Sequence, residues 1–241
     1  EVSRTGGMDL ERSDCVMDTH IFAGDFKPDV FIIGGDGLDC GAVSHHNKHK
    51  PGKVEGLRLL ADANEFKSKV IAKIDALGAK QKVYITGNHE DWLAQLQQEI
   101  PGLEGILDLE RLLELKGWKI VPQGKALNLG KLTFLHGDTI SGGEHIAKAS
   151  VINYERNVRF GHYHTFQTYT KNSPLDSKQA KTGMAVPCLC RKGPGYGKGK
   201  PNKWVNGFLW GYVHPDGSFN DYVSIIREGS FVGPTGKVYK G

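Results

Sequence analysis

Carboxylate, amide and imidazole side chains recur in this sequence directly after short apolar runs. Such oxygen and nitrogen donors, with no thiolate among them, suit divalent manganese, iron, zinc or nickel. A single histidine or aspartate in such a place is more often structural, but that explanation fails for a set drawn from four distant segments. The set consists of Asp36 and Asp39 after residues 30–33, Asn88 and His89 after residues 83–86, His136 after residues 131–135, and His162 and His164 after residues 157–160.

The apolar runs that precede these groups have the composition of buried β-strands. Residues 30–33 read Val-Phe-Ile-Ile, a continuous apolar run of the kind found in parallel sheets. Residues 83–86, 131–135 and 157–160 are predicted strands as well. In open α/β sheets, ligands bind at the edge formed by the carboxyl ends of the strands. We therefore expect the polar groups to gather at one sheet edge, as a metal site that can be binuclear.

Further elements are predicted around these strands. Helical spacing predicts helices over residues 54–77, 92–100, 103–115 and 144–155. Strands are predicted over residues 118–121, 207–213 and 222–226, the last two joined by a turn at residues 215–217.

The motifs, taken in order, resemble those of the calcineurin-like metallophosphoesterases. They are Asp18-Thr19-His20, Gly35-Asp36-Gly37-Leu38-Asp39, Gly87-Asn88-His89-Glu90, His136, and Gly161-His162-Tyr163-His164. The resemblance covers residues 18 to about 170 and implies an α/β sandwich, in which central mixed β-sheets are flanked by helices and the active site lies at the carboxyl ends of the strands. The form of the last motif is similar to that of the phosphodiesterase and nuclease branch, including small phage and bacterial phosphoesterases.

The resemblance also implies roles for individual residues. One divalent cation is held by Asp18, His20, Asp36 and His164, and a second by Asp36, Asn88, His136 and His162. Manganese is the first expectation for both, with iron, zinc or nickel as alternatives. The implied nucleophile is a hydroxide that bridges the two cations, and His89 is the expected general acid or positive stabiliser at the leaving oxygen. Glu90 receives no metal role, and orienting His89 is a weaker expectation for it.

The first motif departs from the family pattern. Only residues 21–29 separate His20 from the next strand, whereas a parallel crossover that contains a helix needs at least about 10–12 residues. Three explanations stay open: a chance match of Asp18 and His20, loss of the helix, or a stretch between His20 and Phe26 that this sequence lacks. The last two are favoured.

The implied substrate is a phosphate ester, and phosphodiesters are the leading class. Protein phosphatases of this superfamily carry an arginine where this chain has Cys40. The basic Gly/Pro-rich loop over residues 187–203 contains five lysines and arginines and suits a phosphate backbone, so DNA or RNA is one candidate partner, although a solvated surface loop is the commoner case. Two alternatives remain: a phosphomonoesterase of the protein-phosphatase type, and a nucleic-acid-binding module with a degenerate metal site.

Composition sets the broad class. With 39% hydrophobic and 24% charged residues in 241, the chain is predicted to fold as one domain, with an irregular arm at residues 1–14. It contains no apolar run near the roughly 18–20 residues of a membrane span and no visible secretory signal, so a cytoplasmic protein without a membrane partner is expected. Four cysteines are too few for a disulfide scaffold, and Cys188 and Cys190 are interpreted as small buried hydrophobic residues. The oligomeric state is not predicted.

Overall fold

The computed structural model describes residues 14–176, 180–190 and 202–240. The helices are α1 (Asp14–Phe26), α2 (Pro51–Val54), α3 (Leu59–Phe66), α4 (Ala72–Ala76), α5 (Asn88–Glu99), α6 (Leu109–Leu113) and α7 (Ile146–Tyr154). The strands are β1 (Val30–Ile33), β2 (Gln81–Ile85), β3 (Trp118–Val121), β4 (Leu127–Leu129), β5 (Leu132–Leu135), β6 (Asn157–Phe160), β7 (Gln167–Lys171), β8 (Lys181–Ala185), β9 (Gly207–Val213), β10 (Phe219–Ile225), β11 (Ser230–Val232) and β12 (Val238–Lys240). The predicted arm up to residue 13 and residues 191–201 of the basic loop lie outside the described residues.

The fold is a mixed α/β arrangement with several sheets. Strands β1, β2 and β3 form a parallel sheet in that order. A five-stranded sheet has the order β4-β5-β6-β8-β7, in which β5, β6 and β8 are parallel and the edge strands β4 and β7 are antiparallel to their neighbours. The pairs β9–β10 and β11–β12 are antiparallel. No described helix is long and apolar enough to cross a bilayer.

A shared apolar core connects the two larger sheets. Ile32 of β1 and Val83 of β2 belong to one buried cluster with Leu132 and Phe134 of β5, and Leu209 of β9 joins them. Burial of these side chains fixes the two sheets against each other through the hydrophobic effect. The loops after β1, β2, β5 and β6 can therefore supply one site, although the strands belong to two sheets. The expectation of a single sheet edge was wrong in this respect.

A buried ion pair joins the β9–β10 hairpin to the five-stranded sheet. Arg159 of β6 is 1% exposed, and its guanidinium donates hydrogen bonds from Nε and Nη2 to the carboxylate of Asp221 on β10. The same guanidinium donates to the carbonyl and the hydroxyl oxygen of Thr182 on β8. The bidentate geometry and the additional acceptors offset the cost of removing the charges from water.

Two predicted helices are shorter than their apolar patterns suggest. The helix expected over 54–77 is divided: α3 continues through a π-helical segment, Lys67–Ile71, into α4, whereas residues 55–58 are not helical and include Gly56 at φ 83°. Of the helix predicted over residues 103–115, only α6 forms, because Gly105 at φ 73° leaves the right-handed helical region. The predicted bounds of β3, β6 and β9 are confirmed.

Candidate metal centre

Three potential ligands from distant segments converge on one atom of a fourth, Nε2 of His136. This atom lies 3.1 Å from Oδ2 of Asp36, 3.2 Å from Oδ1 of Asn88 and 3.2 Å from Nδ1 of His162. Asp36 follows β1, Asn88 begins α5, His136 follows β5 and His162 follows β6. The structure thus brings together the four residues that the resemblance implies for the second cation.

The hydrogen bonds of His136 determine what its Nε2 can do. The carbonyl oxygen of Gly34 lies 3.0 Å from Nδ1 and can only accept, so Nδ1 carries a proton. In the neutral ring Nε2 then carries a lone pair. The oxygens of Asp36 and Asn88 that face it are acceptors too, so the three atoms present lone pairs to one another. Burial lowers the pKa of His136, but the charge and hydrogen bond of Asp36 outweigh it and raise the pKa to about 9. The site therefore attracts positive charge.

Asp36 is the only carboxylate among these four residues, and it is held ionised. Its side chain is almost fully buried, and burial alone would raise its pKa. The charge and hydrogen bond of His136, together with the charge of His89 and the hydrogen bond from its backbone N–H, lower the pKa of Asp36 below its usual range. The backbone of Asp36 is left-handed, at φ 51°, as is that of His162 at φ 63°. Strained backbone of this kind persists where the surrounding structure enforces it.

Two glycines allow the ligands to approach each other. A Cβ at Gly87 would overlap Oδ1 and the backbone nitrogen of Asp36 and the ring of His136. A Cβ at Gly35, where φ is 101°, would overlap the ring of His136 as well. Because any side chain at either position would push the ligands apart, the glycines of both motifs are explained by close packing.

Glu90 holds the two ligand loops together, a role that sequence reasoning missed. Its Oε2 accepts the backbone N–H of Asp36 at 3.0 Å and that of Gly87 at 2.8 Å. Its Oε1 accepts the N–H of Leu38 at 3.0 Å and the hydroxyl of Tyr84 at 2.7 Å. Glu90 is the third residue of α5, so its bond to Gly87 is one half of a capping box, a signal that the sequence offered.

Asp39, and not Glu90, orients His89. Nδ1 of His89 lies 2.9 Å from the carbonyl oxygen and 3.1 Å from Oδ1 of Asp39, both of which accept, so Nδ1 donates. The ring stacks on Trp92 with centroids 4.4 Å apart. Burial lowers the pKa of His89, but the hydrogen bond of Asp39 and the charges of Asp36, Asp39 and Glu90 outweigh it and raise the pKa to about 9.

The described residues do not assemble the other predicted cation site. Residues 18 and 20 lie on α1, not at the end of a strand. Alternate residues share one face of a strand, whereas on a helix positions two apart are separated by about 200° around the axis. The side chain of Asp18 lies outside the described part of the chain, and His20 belongs to neither candidate ligand group among the described residues. The D-x-H spacing therefore does not have the meaning here that it has after a strand.

His164 lies against a pair of cysteines. One ligand atom of each of His164, Cys188 and Cys190 falls within 4.8 Å of the others, and all three residues are buried. Burial outweighs the charge of Asp36 and lowers the pKa of His164 to about 4. Both cysteines are buried as predicted, but sequence reasoning did not connect them with His164. The C-x-C spacing was the available signal.

Residues near the basic loop have specific contacts where the structure describes them. Nζ of Lys203 lies 2.7 Å from Oε1 of Glu144, both side chains being exposed. Trp204 is half-buried and packs edge-on against the ring of His164, with centroids 4.3 Å apart. The other four cations of the basic loop, between residues 191 and 200, lie outside the described residues.

Comparison with known proteins finds no matching family model, no matching curated protein and no matching solved structure. The case for a function therefore depends on the chemistry of the site.

Proposed function

We propose that this protein is a metal-dependent phosphoric ester hydrolase that cleaves phosphodiesters. The observation that carries the proposal is the convergence of Asp36, Asn88 and His162 on Nε2 of His136, at 3.1–3.2 Å. Donor atoms bound to one cation at about 2.1 Å are themselves about 3.0–3.4 Å apart in octahedral or tetrahedral geometry. The spacing of the donors thus fits the edges of a coordination polyhedron.

The donor set also fits a divalent cation chemically. Two imidazoles, one carboxylate and one amide oxygen suit divalent manganese, iron, zinc or nickel, and manganese is the first of these that the resemblance implies. The bond from Nδ1 of His136 to the carbonyl of Gly34 is the outer-shell contact that metal-ligating histidines commonly make. A divalent cation at this position lowers the pKa of a coordinated water and neutralises phosphoryl oxygens.

The described residues assemble only part of the dinuclear centre that the resemblance implies. Asp36, which would bridge two cations, belongs to the assembled group, whereas residues 18 and 20 lie on a helix. We therefore assign one cation to the four-residue centre. The metallophosphoesterase-type sandwich is part of the same proposal, supported by the core that the two larger sheets share.

His89 is the residue we assign to the leaving group. Asp39 accepts from Nδ1 and Trp92 stacks on the ring, so the imidazole is fixed on two sides and its Nε2 is the atom left to act on substrate. The backbone N–H of His89 donates to Oδ1 of Asp36 at 3.0 Å, which places His89 next to the metal ligands. A positioned imidazole of this kind can donate the proton that the departing alkoxide needs.

The preference for diesters is supported by Cys40. This residue occupies the position at which protein phosphatases of the superfamily have an arginine, and it is fully buried, so no cationic side chain at this position can grip a phosphomonoester dianion. DNA or RNA is the candidate substrate that suits the lysines of the 187–203 loop.

Hydrolysis of two chromogenic esters distinguishes the candidate functions. With Mn²⁺, we expect turnover of bis-p-nitrophenyl phosphate that chelation abolishes and that Asp36→Asn reduces together with manganese content. His214→Ala, on an exposed histidine beyond β9, is the matched control and should leave both unchanged. Cleavage of p-nitrophenyl phosphate alone would favour the phosphomonoesterase. Binding of DNA or RNA without hydrolysis under any metal would favour the binding module.

A further inference from the structure

His164, Cys188 and Cys190 form a second group of potential ligands, with a different donor chemistry. Their exposed fractions are 7%, 0% and 7%, and their ligand atoms lie within 4.8 Å of one another. The first group offers oxygen and nitrogen, whereas this one offers two sulfurs and one imidazole nitrogen. Thiolate ligands select softer cations than carboxylate and amide oxygens do.

Hydrogen bonds from one short segment, residues 205–206, hold the backbone of all three residues in place. Val205 donates its N–H to the carbonyl of His164 at 2.7 Å and accepts the N–H of Cys188 at 3.0 Å. Nδ2 of Asn206 donates to the carbonyls of Cys188 and Cys190 at 3.4 and 2.6 Å. The cluster is thus built by interactions between segments far apart in sequence and does not result from the C-x-C spacing alone.

The two cysteine sulfurs lie close enough together to bind one cation. Sγ of Cys190 lies 3.1 Å from Sγ of Cys188, within the distance of a thiol hydrogen bond and well beyond the roughly 2.05 Å of a disulfide. Two sulfurs that bind one tetrahedral zinc at about 2.3 Å are about 3.8 Å apart, so the pair needs to separate by less than about 1 Å to share a cation.

The imidazole of His164 points to the same conclusion. Among the described residues, neither of its buried ring nitrogens has a hydrogen-bond partner. Leaving a buried polar group unsatisfied is unfavourable, so native structures rarely do so without a compensating interaction. Coordination of a cation by His164 and both sulfurs would give one of these nitrogens the partner that it lacks.

We propose that His164, Cys188 and Cys190 bind a zinc-class divalent cation. Each thiol releases one proton as it becomes a thiolate ligand, and the neutral imidazole contributes its lone pair. Two sulfurs and one nitrogen leave one position of a tetrahedral zinc site for water or a substrate oxygen, which is the arrangement of catalytic zinc rather than structural zinc. His164 is thereby assigned to a soft-donor site and not to a site shared with residues 18 and 20. This inference does not depend on the proposed hydrolase activity.

Cobalt substitution of the full-length protein tests the assignment. With Co²⁺ added under reducing conditions, we expect a thiolate-to-cobalt charge-transfer absorption in the near ultraviolet and the intense visible bands of tetrahedral cobalt. Cys188→Ser and Cys190→Ser should each weaken zinc affinity at least tenfold, measured by competition with a chromophoric chelator, and the double variant should lose the charge-transfer band. Cys40→Ser is the matched control, a buried cysteine outside the cluster, and should keep the band.

Two further variants keep the outcomes distinct. Asp36→Asn should remove activity and leave the charge-transfer band, so failure of the hydrolase proposal would not affect this one. If the serine variants do not fold, as judged by circular dichroism, His164→Gln supplies the same test with both thiols retained: zinc affinity should fall and the visible bands should change. Absence of a thiolate band in the wild-type protein would overturn the proposal, as would its persistence in the double variant or a Cys188–Cys190 disulfide that survives reduction.

Discussion

Glu90→Gln tests whether one buried carboxylate positions the metal ligands. In the glutamine side chain, one acceptor oxygen becomes an amide nitrogen that can only donate. In the least costly arrangement, the remaining oxygen still accepts from Asp36 and Gly87, and the new amide donates to the hydroxyl of Tyr84. The backbone N–H of Leu38, now accepted by Oε1 at 3.0 Å, then has no acceptor.

The expected losses of stability and of manganese affinity follow from these changes in hydrogen bonding. One buried N–H without an acceptor costs about 1–3 kcal/mol, and bonds to an ionised carboxylate become weaker bonds to a neutral amide. We expect the free energy of unfolding to fall by about 2–4 kcal/mol. Because Glu90 also fixes the backbone of Asp36 at 3.0 Å, manganese affinity should fall about 10–100-fold, as for other residues that orient metal ligands.

Urea unfolding followed by tryptophan fluorescence measures the first quantity, and isothermal titration calorimetry with Mn²⁺ measures the second. Glu144→Gln is the matched control, because it makes the same chemical change at an exposed glutamate that pairs with Lys203. The control should leave both quantities unchanged. A Glu90→Gln protein with the wild-type unfolding midpoint and the wild-type manganese affinity would refute the positioning role.

Three other substitutions address separate parts of the molecule. Gly87→Ala places a Cβ against Oδ1 of Asp36, so manganese affinity by calorimetry should fall at least tenfold. His89→Ala should lower kcat for the diester by about 10²–10⁴-fold while metal content by elemental analysis stays near wild-type, because the side chain acts on the leaving group. Asp221→Ala leaves the buried guanidinium of Arg159 without its counter-charge, and should lower the free energy of unfolding in urea by about 3–5 kcal/mol.

Each of these has a control or a contradicting result. Gly102→Ala, where an added Cβ would meet nothing within 4 Å, should keep manganese affinity. Loss of metal from His89→Ala would move His89 from the leaving group to the ligand set. A stable Asp221→Ala protein would mean that the carbonyl and hydroxyl of Thr182 suffice for Arg159.

The sequence predicted the assembled ligands because local signals were strong. Strand-forming runs end shortly before Asp36, Asn88, His136 and His162, and the continuous apolar run of β1 is a reliable strand signal. The same reasoning could not tell that β1 and β2 belong to one sheet and β5 and β6 to another, because pairing between strands is decided by packing that a linear pattern does not contain.

Other elements carried weak or misleading signals. Strand β7 reads Gln-Thr-Tyr-Thr-Lys, with mostly exposed or half-buried side chains and no apolar run to reveal it. The D-x-H motif was interpreted as a metal-binding motif of the kind that follows a strand, whereas its residues lie on α1, a helix whose Phe22 and Ala23 are buried in the core. The role of Glu90 depends on four acceptor contacts to residues up to 54 positions away, so its sequence neighbours indicate only the bond to Gly87.

The pairing of Arg159 with Asp221 makes the burial of one charged side chain depend on a strand that is synthesised later. The two residues are 62 positions apart, so β6 is synthesised well before β10. A nascent chain that ends before β9 would lack the carboxylate that neutralises Arg159, so burial of this cation in the five-stranded sheet would be unfavourable at that stage. The β9–β10 hairpin therefore belongs to the cooperative folding unit, and fragments that lack it should be degraded readily by proteases.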